Sequence, residues 1–127
     1  MALGGQTIKK PMYVLPVPST SLEVGTHYNG KKNSLLFEYE KDGVLTLGGF
    51  QFNRVAAIRE RAERCCTAWH IEEAYDTLVE VEGSPWVDEI RCETTEHLRN
   101  LWAMHHYMIY LDSFGCFEVI AESWTAL

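Results

Sequence analysis

At 127 residues, 46% of them hydrophobic and 23% charged, the chain is long enough for one domain with its own core and too apolar for general disorder. A formal charge of −7 with no long Lys/Arg run argues against duplex nucleic acid as a partner and suits a basic one. No apolar run approaches the roughly 20 residues that cross a bilayer, and MALGGQTIKKP lacks the apolar stretch of a secretion signal. These features lead us to expect a soluble, cytoplasmic protein with no membrane partner.

Residues 1–33 hold three of the four prolines and read as an extended arm, mobile over its first ten residues, with Tyr13-Val14-Leu15 able to add an edge strand. Residues 34–127 are expected to form the single globular domain. In 35–52, two apolar runs flank Lys41-Asp42-Gly43. Taking all three as the loop pairs Tyr39 with Leu45, Phe37 with Leu47 and Leu35 with Gly49, which sorts apolar from charged side chains. The commoner two-residue loop Asp42-Gly43 would set Leu45 and Leu47 against Glu40 and Glu38. The side-chain pattern favours the longer loop.

Residues 53–69 carry two signals. Val55, Ile58, Ala62, Cys65 and Trp69 recur at helical spacing, with Arg59–Glu63 and Glu60–Arg64 four apart, and favour a helix. IRERAER also alternates, so a long bent strand is the alternative. Residues 74–82 alternate as a strand, with Val79 and Val81 on one side and Leu78 and Glu80 on the other. Ser84-Pro85 then opens a helix as N-cap and first position, with Trp86, Val87 and Ile90 as its buried stripe. A further helical turn or two over Thr95 to Ala103 carries Leu98, Leu101 and Trp102.

The clearest element is MHHYMIYLDSFGCFEVIAESW, residues 104–124. A bulged three-residue turn using Gly115 puts Leu111 opposite Phe117, Ile109 opposite Val119 and Tyr107 opposite Ala121, an apolar face. The other face sets Tyr110 opposite Glu118, Met108 opposite Ile120 and His106 opposite Glu122. The expected fold is α+β: a twisted antiparallel sheet or half-barrel from two β-hairpins plus one or two further strands, with one or two short helices packed on it.

The candidate catalytic residues are His106, Tyr110, Glu118 and Glu122, an imidazole beside carboxylates on the mixed face of that hairpin. Met108, Tyr110, Trp69 and Trp124 are the ligand-binding candidates, aromatic and thioether groups suited to an apolar ligand. Cys66 and His70, four apart, are the metal candidates, but no second close ligand pair accompanies them and no metal or cofactor is expected. Cys65, Cys66, Cys92 and Cys116 are too sparse for a secreted disulfide scaffold and are expected as free thiols. Phosphate-loop, hydrolase-elbow and zinc-protease motifs are missing. Charge and size therefore favour a non-enzymatic binding protein, a regulatory or immunity-like partner of a basic protein. The alternative is a small-ligand binder or enzyme using the His/Tyr/Glu cleft of the C-terminal hairpin. A homodimer through an edge strand or Trp124 is a third reading.

Overall fold

The computed structural model of the protein describes residues 7–22, 24–99, 101 and 103–127, with the backbone alone at 24 and 25. The expected mobility of the first six residues and the expected role of Trp102 lie outside these. In chain order the elements are β1 (Ile8–Val14), β2 (Val24–Asn29), β3 (Ser34–Lys41), β4 (Val44–Asn53), β5 (Ala57–Arg61), α1 (Ala68–Ile71), β6 (Thr77–Glu82), α2 (Pro85–Glu93), β7 (His105–Leu111), β8 (Gly115–Ala121) and β9 (Ser123–Ala126). The architecture is α+β, and its strands form two antiparallel sheets, ordered β1-β6-β7-β8-β5 and β2-β3-β4-β9. Residues 8–14, placed by sequence in the arm, are an edge strand whose far partner is β6. None of the described helices is long and apolar enough to cross a membrane.

Two apolar layers follow from the alternation of β7 and β8. Tyr107, Ile109, Leu111, Phe117 and Val119 face the second sheet, where they meet Leu35, Phe37, Phe50 and Phe52. Phe52 stacks on both Tyr107 and Phe117, with ring centroids 6.1 and 5.9 Å apart. On the opposite face of the first sheet Val79, Val81, Met108, Tyr110 and Cys116 form a smaller cluster, joined by Cys66 and Ile71 near α1. The first sheet is thus apolar on both sides, and charged residues on its helix-covered side must find partners.

The β7–β8 hairpin is two residues away from its expected register. Leu111 pairs with Gly115, Ile109 with Phe117, Tyr107 with Val119 and His106 with Ile120, so His106 does not stand opposite Glu122. Ser113 takes a φ of +65° and Phe114 N–H donates to Leu111 O, closing the loop early. A slip of two keeps every side chain on its face, which is why the apolar and mixed faces are as expected. Gly115 answers to a different demand from the turn. A Cβ there would come within 2.1 Å of Arg61 O, at the end of neighbouring β5.

The β3–β4 hairpin uses the two-residue loop. Asp42 and Gly43 take φ of +52° and +79°, a type I′ geometry matched to strand twist, and Glu40 pairs with Leu45 and Glu38 with Leu47. The consequence is exposure: Leu45 is 57% and Leu47 55% accessible. The local turn preference outweighs side-chain sorting here, because Phe50 and Phe52 fill the core side of the same strand.

The favoured helix over 53–69 does not form. Residues 57–61 are strand β5, followed by a 3₁₀ turn at Glu63–Cys65 and the four-residue α1. The ladder along β8 offers backbone hydrogen bonds and sets Arg59 opposite Glu118, whereas a surface pair four apart on a helix contributes only about 0.2–0.5 kcal/mol. Ser84 caps α2 as expected, accepting a hydrogen bond from Val87 N–H at 3.2 Å, with Pro85 first in the helix. Trp86, Val87 and Ile90 are only half-buried. Beyond α2 the described residues of the expected helical turns hold a 3₁₀ turn at Glu96–Leu98, and Leu98 and Leu101 are exposed.

Candidate functional site

Beneath the helices, three strand residues and one cap residue form a continuous hydrogen-bonded line. Ser84 Oγ lies 2.8 Å from His106 Nδ1, and His106 Nε2 lies 2.7 Å from Glu118 Oε1. Arg59 closes the line with a two-pronged grip, Nε on Glu118 Oε2 and Nη2 on Oε1, each at 2.9 Å. His106 and Glu118 share the helix-covered face because 106 and 118 fall on the same parity of their hairpin. Arg59 reaches them from β5, and Ser84 from the start of α2.

Glu118 carries the negative charge of this line. Burial by itself would raise the Glu118 carboxyl, but hydrogen bonds from His106 and Arg59 and the guanidinium charge outweigh it and hold the group at about 2. An ionised carboxylate only accepts, so His106 Nε2 carries a hydrogen. In the neutral imidazole Nδ1 is then an acceptor for the Ser84 hydroxyl, while the Ser84 oxygen accepts from Val87 N–H. Every member of the line has a partner, as buried polar groups require.

Above this line opens a cavity of about 380 Å³, bordered by Arg59, Trp69, Ser84, Trp86, Glu89 and His106. This volume is within the range of small-molecule sites. Two indoles stand in its wall, each backed by a cation: Arg59 Cζ is 4.1 Å from the Trp86 ring centroid, and Lys9 Nζ is 4.5 Å from that of Trp69. Lys9 Nζ also donates to Trp69 O and, at 2.8 Å, to Glu72 O, tying β1 to the end of α1. Trp86 meets the His106 ring edge-on at 5.1 Å. A second hollow of about 290 Å³ shares Ser84 and His106 and runs toward Glu80, Asp88 and His105. His105, on the opposite face of its strand from His106, is bound to Glu80 at 2.7 Å.

The remaining sequence candidates lie elsewhere. Tyr110 is buried beside Tyr75, ring centroids 5.7 Å apart, and Met108 is fully buried in the same layer. Glu122 faces Arg54 at 3.8 Å, outside the cavity. Trp124 packs against Tyr13 and Phe50 between the sheets. Cys66 donates to the Ala62 and Arg61 carbonyls, and His70 Nδ1 bonds Thr67 to cap α1, so the two are engaged separately. Among the described residues no cluster of three or more His, Cys, Asp or Glu side chains is arranged to hold a metal ion. Cys65, Cys66, Cys92 and Cys116 are free thiols, and burial pushes that of Cys116 up to about 12.

The structure thus joins His106, Glu118 and Trp69 of the sequence candidates and adds Arg59, Ser84, Trp86 and Glu89. Ser84 and Arg59 had ordinary explanations in sequence, as a helix cap and half of a helical ion pair. Reading 57–61 as a strand was the signal that could have brought Arg59 to Glu118. Searches of protein-family models, curated proteins and solved structures found no match to the chain.

Proposed function

We propose that the protein acts by binding a small, flat organic molecule in the cavity between α2, β5 and β7. The observation that carries this reading is the pair of indoles, Trp69 and Trp86, in the wall of one 380 Å³ cavity whose border includes the Ser84–His106 pair. Indole faces take up planar ligands by stacking and area burial, and convergent polar groups fix orientation. The test is a thermal-shift screen of aromatic metabolites followed by titration. A ligand at 100 times its Kd stabilises the folded state by about 2.7 kcal/mol, and Trp86→Ala should abolish the shift while the protein stays folded. If no flat ligand raises the melting temperature, or Trp86→Ala responds as the wild type does, the reading fails.

One observation favours a second reading, a basic protein partner. Leu45 and Leu47 are exposed on the outer face of the β3–β4 hairpin, and Glu40 and Glu38 pair with them across the strands. An apolar group with carboxylates beside it suits a partner presenting apolar and basic side chains. Leu45→Lys with Leu47→Lys should abolish capture of such a partner without lowering the melting temperature. Unchanged capture would remove this surface from consideration.

A further inference from the structure

We propose that Ser84 is a nucleophile toward small carboxylic esters, with His106 as its general base. This goes beyond ligand binding but uses the same cavity, so its failure must be separable from a failure to bind. The geometry has the three parts such chemistry requires: a nucleophile hydrogen-bonded to a base, an acceptor orienting the base, and space for the reacting group. Ser84 Oγ is 2.8 Å from His106 Nδ1, Nε2 is 2.7 Å from the Glu118 carboxylate, and Ser84 and His106 both border the 380 Å³ cavity. Glu118, held by two bonds from Arg59, keeps a hydrogen on Nε2, and in the neutral form of the ring the Nδ1 lone pair is aimed at the serine hydroxyl. Ser84 and His106 are buried to 6% and 2% exposure, so little bulk water competes with a bound ester.

In the first step Ser84 Oγ bonds to the ester carbonyl carbon while its proton passes to Nδ1. The carbonyl oxygen becomes an oxyanion beside the first turn of α2, where Trp86 N–H is one of the donors that a helix start leaves without an intrahelical partner. The carbon–oxygen bond to the alcohol breaks, and the alcohol leaves with the proton from Nδ1. Water then attacks the seryl ester, giving a proton to Nδ1. The carboxylic acid departs as that proton returns to Ser84 Oγ. A flat acyl or aryl group would rest on the indoles, which makes aryl esters the preferred class.

The experiment exposes the full chain to 4-nitrophenyl acetate and, separately, to an alkyl fluorophosphonate, and follows intact mass and peptide maps. The expected result is one adduct per chain, located on Ser84. Ser84→Asn retains a capping side chain but no hydroxyl, and should give no adduct while melting as a folded protein. His106→Gln should acylate about 100- to 10,000-fold more slowly, the span usual for loss of a general base. A Ser84 left unmodified at millimolar probe, an adduct that persists in Ser84→Asn, or a wild-type rate in His106→Gln would each overturn the proposal. If Ser84 stays unmodified by both probes while an unreactive aryl ligand still binds, the binding reading stands and this one falls.

Discussion

Glu118 remains ionised where only 3% of it is exposed, because Arg59 and His106 supply three hydrogen bonds to its two oxygens. Its folded-state value of about 2 lies below the ordinary 4.5, so its contribution is complete above about pH 4.5 and is lost as the pH falls toward 2. That contribution is on the order of 3 kcal/mol. Urea unfolding of the wild type and Glu118→Gln should show a stability gap at pH 5 that narrows as the pH falls below 4.5. A gap unchanged down to pH 2.5 would mean that the carboxylate is not held as described. The meeting of His106 with Glu118 was legible in sequence only in part. Their shared face followed from parity, but the partner proposed across the strand was Glu122. Ser84 and Arg59 could not be placed, since hydrogen bonds spanning 22 and 59 positions depend on how helix and strand dock.

At the scale of the element, the two hairpins show which local signals prevail. Alternation assigned faces correctly in β7 and β8 and set Leu78 apart from Val79 and Val81 in β6. It failed at β3–β4, where turn stereochemistry at Asp42-Gly43 overrode the burial of Leu45 and Leu47. Segment 57–61 went astray for a related reason, because a partner strand 59 positions away contributed more than contacts four apart. The two hairpin glycines should respond differently to alanine. At Gly43 a Cβ meets nothing within 4 Å, so Gly43→Ala costs only the left-handed backbone penalty, about 1 kcal/mol. At Gly115 the methyl would strike the backbone of Arg61, Ala62 and Glu63, and a loss of about 3 kcal/mol or more is expected. Equal melting temperatures for the two variants would contradict the close approach of β5 to this turn.

For the whole molecule, the second sheet was the least legible feature. Its assembly needs β9 to pair with β4 across some 70 positions, and the first sheet likewise needs β1 to reach β6. Short alternating segments carry no information about such distant pairing. Putting the large aromatic core on one face of the first sheet leaves the other for α1, α2 and the polar line, and this division creates the cavity. The central claim, that the cavity is a ligand site, is tested most directly by the indole N–H resonances of the ¹⁵N-labelled protein during titration with a flat aryl ligand. Trp69 and Trp86 should shift saturably while Trp124, packed between the sheets, stays in place. Unmoved Trp69 and Trp86 signals, or a response confined to Trp124, would contradict the account.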